Sequence, residues 1–304
     1  MSEHILVIKH GAFGDIIQAD GALRDIRVGH PQAHISLLTT PPYRTLMSRC
    51  PHVDAILIDR RARPWQLGEH LALWRTLRGG HFTRVYDLQK SARSERYRRW
   101  ILPRTAWFGR SPTVDGAPSA LASFTPLLRE AGLDPIHAST PCVDWMVDDM
   151  TELLAAHGVR APFIALIPGS SAAHPHKRWP RYATLGEALL AHGFDVVTAP
   201  GPDELELARS LPGHALLKAD GKYLDWFELA GVLARADFVI GNDTGPSHLA
   251  AHLGRPGLAL FGPHTSAERT AIEREHFKAI ECADLAALPV DTVLTATLAR
   301  LGGG

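Results

Sequence analysis

Residues 239–256 read VIGNDTGPSHLAAHLGRP. An apolar run stops at Gly241, a polar cluster of Asn242, Asp243, Thr244 and Gly245 follows, and a helical pattern then carries His248 and His252. The stretch is preceded by DF and followed by GLALFG, so it reads as strand, helix, strand. Such a unit belongs to a parallel sheet, whose ligands sit beyond the carboxyl ends of the strands. Thr244 or Asp243 can cap the helix, and Gly245 leaves its first N–H groups approachable, which suits an anion such as a diphosphate. Asp243 would repel phosphate; it fits better as a cap or as an acceptor for ribose or sugar hydroxyls.

The same alternation extends outward. FIALIPG, FDVVTAPG, DFVIG and GLALFG read as strands in the second half, with RYATLGEALLAHG, PDELELARSL and LDWFELAGVLARA as helices between them. In the first half HILVIKH, AHISLLTT, VDAILID and FTRVYDLQ read as strands, and QLGEHLALWRTLRGG as a helix closed by glycines. Residues 132–150, rich in Pro, Asp and Thr, read as a linker. Two α/β domains are expected, 1–145 and 146–304, with a cleft between them and a C-terminal helix able to cross back to the first.

The 304 residues are 45% hydrophobic and 21% charged, the profile of an ordinary globular protein long enough for two cores. A formal net charge of zero argues against a general nucleic-acid binder. The three cysteines, Cys50, Cys142 and Cys282, are far apart and suggest a reducing compartment. No signal peptide or membrane-spanning run is expected, so the reading is cytoplasmic, with contact at a membrane surface left open. Charge is uneven: twelve arginines lie between Arg60 and Arg110, opposed there by Glu69, Asp87 and Glu95. That half suits an anionic partner.

Chemistry-bearing residues gather at strand ends. After the first strand comes KHGAFGD, where Gly11 and Gly14 allow a tight turn and Asp15 falls at a helix start, by its plain reading a cap. In the second half IPGSSAAHPHKRWP offers Gly169, Ser170 and Ser171 as donors and Lys177 and Arg178 as cations, a set suited to phosphate. His248 and His252 have zinc-like spacing, but no Glu follows His248. G-x-G-x-x-G, G-x-S-x-G and D-x-D are all absent, so no dinucleotide fingerprint, nucleophile elbow or metal-holding diacid is expected.

Taken in order, ILVIKHGAFGDIIQADGALRDIR, YDLQKSARS (86–94), PGSSAAHPHKRWP (168–180), PGPDELELA (200–208) and NDTGPSHLAAHLGRPGLALFGP (242–263) resemble glycosyltransferase family 9, the ADP-heptose:lipopolysaccharide heptosyltransferases. The resemblance covers most of the chain. It implies the GT-B architecture, two Rossmann-like domains with parallel sheets facing across a cleft, and metal-independent inverting transfer with no cofactor. Carried over by position, Asp15 resembles the general base and Lys177 the cation on the donor's phosphates. The donor site would comprise Gly169, Ser170, Ser171, Asp243, Thr244, Gly245 and His248, with Asp203 or Glu204 near the ribose. Gly14, Lys90, Arg93 and Arg96 would meet an anionic acceptor of the lipopolysaccharide type.

The first loop departs from the serine- or threonine-rich text usual before Gly-Asp in the family, and the phosphate loop holds two histidines, His174 and His176. Donor and acceptor identity therefore stay open. The competing readings are a GT-B-like nucleotide-sugar epimerase or hydrolase, and a non-catalytic nucleotide-sugar-binding relative.

Overall fold

The computed structural model describes residues 3–109, 119, 121–171 and 174–302, and divides into two compact units, Met1–Trp145 and Met146–Gly304. Arg110, counted above with the arginine-rich segment, lies outside the described residues.

The first unit holds β1 (His4–Ile8), β2 (His34–Thr39), β3 (Ala55–Ile58), β4 (Arg84–Asp87) and β5 (Ala106–Phe108), in the order β3-β2-β1-β4-β5. Every pairing is parallel. β1 is the central strand, and Ile5, Leu6, Val7 and Ile8 are all fully buried, so it reads as a continuous apolar run instead of an alternation. Leu6, Ile8, Leu38 and Val85 share one core with Leu77 of the helix Leu67–Gly79 and with Tyr97 and Trp107.

The boundary between the units falls inside the stretch expected to be a linker, and its residues 137–145 are held onto the first unit. Buried Asp25, on the helix Asp20–Gly29, accepts the N–H groups of His137 (3.0 Å) and Ala138 (2.8 Å). Buried Asp20 accepts Cys142 N–H at 3.1 Å and the Trp145 indole N–H at 2.9 Å. Burial pushes the Asp20 carboxyl up to about 6. Two carboxylates thus supply the order that Pro, Asp and Thr alone do not reveal.

The second unit holds β6 (Phe163–Ile167), β7 (Asp195–Thr198), β8 (His214–Ala215), β9 (Phe238–Asn242), β10 (Gly257–Phe261) and β11 (Phe277–Glu281), in the order β11-β10-β9-β6-β7-β8. All its pairings are parallel as well. Ile164, Leu166, Ile240, Leu258 and Leu260 meet Trp179, Leu185 and Leu189 in its core. The C-terminal helix Val290–Leu301 packs on this unit, with Val293 fully buried in that core. In each sheet the chain reverses its direction of travel beside the first strand, between β1 and β4 and between β6 and β9. Those switch points are where open parallel sheets leave a crevice.

Candidate active site

At the first switch point β1 leads into Lys9 and His10 and then into the helix Phe13–Gln18. Gly11 has φ +129°, and a Cβ there would come within 2.5 Å of the Tyr43 ring, so this turn requires glycine. Ala12 is the N-cap of the helix, which puts Asp15 at its third position and not at the cap itself. From there the Asp15 Oδ2 reaches back to accept Ala12 N–H at 2.8 Å, while Oδ1 faces Lys9 Nζ at 3.8 Å. The Asp15 side chain is 42% exposed and Lys9 is buried. Burial pulls the Lys9 ammonium below its ordinary range, against the raising influence of Asp15 and Asp87. Gly14 sits on the same helical turn as Asp15, half-buried.

A buried polar cluster lies beneath that loop. Asp59, just past β3, takes two guanidinium bonds from Arg93, 2.5 Å to Oδ2 and 2.6 Å to Oδ1, and a short bond from the Tyr97 hydroxyl. Burial pushes the Asp59 carboxyl upward, but the bonds from Arg93 and Tyr97 outweigh it and hold it below the usual carboxylate range. His10 Nε2 stands 3.5 Å from Asp59 Oδ2 without a hydrogen-bond partner, and burial lowers this imidazole to about 4. The His10 backbone is clamped by Gln89 Oε1, which accepts its N–H at 2.8 Å, and by the Thr40 hydroxyl, which donates to its carbonyl at 2.7 Å. Three strand ends therefore fix the loop that carries Asp15. Arg93, expected to meet acceptor, is committed to Asp59. Lys90 donates to the Ser123 carbonyl at 3.1 Å, and Arg96 is exposed.

At the second switch point Asn242 closes β9 and is fully buried. Its Oδ1 accepts Trp179 N–H and the Tyr182 hydroxyl, both at 3.1 Å, and its Nδ2 donates to the carbonyls of Pro168 (2.8 Å) and Gly169 (3.2 Å). All four bonds hold the loop after β6 in place. A Cβ on Gly169 would fall 1.7 Å from Glu204 Oε1, so only glycine lets that backbone lie against the carboxylate. Glu204 therefore faces this loop, whereas Asp203 is exposed. The Ser170 hydroxyl donates to the His174 carbonyl at 2.9 Å and accepts from Arg178 Nε at 3.1 Å. Ser170 and Arg178 thus shape the loop, and Ser171 is exposed.

Asp243 is buried and pairs with Lys177 Nζ at 2.5 Å, and His248 Nε2 lies 3.7 Å from its other oxygen. Burial raises this carboxyl, but the hydrogen bonds from His248 and Lys177 and the charge of Lys177 leave it below the usual range. The Asp243 charge is balanced by Lys177, with His248 standing beside the other oxygen. Thr244 is the N-cap of the helix Gly245–His252, and no side-chain bond caps it; Pro246 has no N–H and the Ser247 N–H is bonded to the Thr244 carbonyl at 3.1 Å, which leaves Gly245 N–H as the first turn's approachable donor. His252 is buried beside Arg274, and burial drives its imidazole well below the ordinary range. Among the described residues no group of three His, Cys, Asp or Glu side chains is placed to hold a metal.

Sequence reasoning noted Asn242 and His10 in their strand-end stretches without giving them a role, and missed Asp59 and Tyr97. It also missed His264, whose ring centroid lies 4.1 Å from that of His176 at the rim of a crevice lined by Lys177, Asp243 and Thr265. A polar residue at or just past a strand end was the available signal for each but Tyr97.

Residues 70–284 match glycosyltransferase family 9 (heptosyltransferase). The chain belongs to that family. The chain is 27% identical over 293 residues to the lipopolysaccharide heptosyltransferase 2 of Escherichia coli K12, covering 85% of this chain and 82% of that one. Among solved structures, a family 9 glycosyltransferase from Veillonella parvula superposes with TM-score 0.82 at 20% identity, covering 99% of this chain and 98% of that one. The E. coli ADP-heptose lps heptosyltransferase II superposes with TM-score 0.74 at 22% identity, with the same shares covered. The family 9 chain is thus a glycosyltransferase built as two Rossmann-like units, the GT-B fold.

Proposed function

We propose that this enzyme moves heptose from ADP-heptose to a sugar hydroxyl of the lipopolysaccharide core, with inversion at the anomeric carbon and without a metal ion. Family membership supports the reaction class, and the Lys177–Asp243–His248 group at the carboxyl ends of β6 and β9 is the observation that carries the reading. In the proposed step the acceptor oxygen attacks the anomeric carbon as its proton passes to Asp15, and the bond from that carbon to the diphosphate oxygen breaks. The leaving ADP takes the electron pair. Lys177, with the uncapped amides around Thr244 and Gly245, offsets the developing charge. Glu204, with the Gly169 backbone against it, is the better candidate of the acidic pair for ribose hydroxyls. Ser171 can reach the donor from the loop, and Ser170 serves by holding that loop in shape.

On the first unit Asp15 is exposed enough to accept a proton and is held in place by its bond to Ala12. Lys90 and Arg96 remain the proposed acceptor contacts, with Gly14 keeping the approach to Asp15 open; Arg93 acts by fixing Asp59. The proposed location is cytoplasmic, with peripheral contact at the membrane that carries the acceptor.

The test is to incubate the protein with ADP-heptose, a lipopolysaccharide-core acceptor and EDTA, and to follow product mass and anomeric configuration. Transfer with inversion supports the proposal. Donor breakdown that needs no acceptor points to the hydrolase reading, and ADP binding without turnover points to a binding protein.

A further inference from the structure

The helix Leu67–Gly79 turns an apolar stripe away from its own core. Leu73 and Leu77 face inward with the core of the first unit, yet Leu67 is 73% exposed, Leu71 45% and Trp74 43%. Their spacing of four and three residues puts them on one face of the helix, with Arg75 and Arg78 continuing it. Trp65 lies just before the helix, 70% exposed. Trp100 is 66% exposed and belongs to the segment Tyr97–Ile101, whose Tyr97 and Ile101 pack with Leu77 and Leu73.

Each of these tryptophans carries an arginine over its ring: Arg63 over Trp65 at 5.5 Å, Arg78 over Trp74 at 5.6 Å and Arg99 over Trp100 at 5.1 Å. Glu69, the carboxylate on this helix, is already matched by Arg60 at 3.4 Å. We infer that this face is a docking surface for an anionic lipid bilayer, with Trp65, Trp74, Leu67 and Leu71 entering the headgroup boundary and the arginines meeting lipid phosphates.

The chemistry of the patch selects that partner. Tryptophan pairs an apolar ring with an N–H donor and settles at the headgroup level of membranes, and a helix with an apolar stripe flanked by arginine lies in the interface plane. The arginine excess supplies attraction to anionic headgroups in a chain whose overall charge is zero. Among the described residues no helix is long and apolar enough to span a bilayer, so the attachment is peripheral. The inference gives the membrane contact proposed above a place on the molecule, and it does not depend on the transfer chemistry.

The test uses the full chain with vesicles of phosphatidylethanolamine and phosphatidylglycerol, and with phosphatidylcholine alone. Co-sedimentation measures binding, and tryptophan quenching by brominated phosphatidylglycerol reports insertion. Binding is expected to be about tenfold or more weaker on phosphatidylcholine, and to fall similarly when salt rises from about 0.1 to about 0.5 M. The variant Trp65→Ser/Trp74→Ser should lose about tenfold in binding and most of the quenching, with an unchanged melting temperature. Arg75→Glu/Arg78→Glu should lose the salt-sensitive part. Absent binding, equal binding to both vesicle types, or full binding by the tryptophan variant would overturn the inference. So would a concentration-dependent dimer that the tryptophan variant abolishes, since the partner would then be a second copy. Vesicle binding reads no turnover, so failure here and failure of the proposed reaction are separate results.

Discussion

Replacing Asn242 by alanine should unfold the second unit at a markedly lower temperature and weaken nucleotide binding together. The side chain is fully buried and makes four hydrogen bonds, to Trp179 N–H, the Tyr182 hydroxyl and the carbonyls of Pro168 and Gly169. Its removal leaves two buried donors and at least one buried carbonyl without partners, each costing about 1–3 kcal/mol before relaxation. With some repair by trapped water, a net loss of about 3–5 kcal/mol follows. For a unit of this size each kcal/mol lowers the melting temperature by about 2–4 °C, so a drop of about 6–20 °C is expected. Asn242→Asp is the sharper variant. It retains both accepted bonds but sets an oxygen against the two carbonyls. Calorimetry with and without ADP is the assay, because ADP raises the transition of the unit that binds it. An alanine variant that melts within about 2 °C of the parent and binds ADP equally would refute the claim that Asn242 holds the loop after β6.

Arg93→Ala should cost the first unit about 3–5 kcal/mol in urea unfolding by leaving buried Asp59 unpaired, and adding Asp59→Asn should restore part of it. The pH dependence follows from His10. Its folded-state value near 4 lies below the ordinary 6.5, so between those limits the unfolded chain binds more protons. Its contribution is therefore complete above pH 6.5 and is lost as pH falls toward 4. At pH 4.5 the loss is about 2–3 kcal/mol, and urea unfolding of His10→Gln beside the parent should show a shallower slope in that window. Gly169→Ala must displace the Glu204 carboxylate and should weaken ADP binding at least about tenfold while lowering the melting temperature by only a few degrees, which titration and calorimetry would separate.

The central strands were legible because burial on both faces writes a continuous apolar run, as in ILVI of β1 and FVI of β9. β5, β8 and β11 were not: the first two are only three and two residues long, and FKAIE of β11 is an edge strand with a partly exposed pattern. β9 also runs through Asn242, past the point where its apolar text stops: its backbone pairs with Leu260, and the buried amide is tolerated because it finds four partners that lie far away in sequence. The loops carrying Asp15, Lys177 and Asp243 stood out through small and polar residues after strand ends. Their pairings did not. Asp59 is an ordinary strand-end carboxylate until Arg93 and Tyr97 fold onto it, and Arg93 looks like a free cation until Asp59 takes it. Charge counts along the chain report how many arginines there are, and only packing tells which of them are already matched.

The claim that Asp15 removes the acceptor proton is tested most directly by Asp15→Asn, assayed for heptose transfer from ADP-heptose in EDTA beside an ADP-binding titration. The amide oxygen can still accept Ala12 N–H, so the loop and ADP binding should be unchanged while transfer falls by about 10²–10⁴. Transfer by the asparagine variant within about threefold of the parent would contradict a general-base role for Asp15.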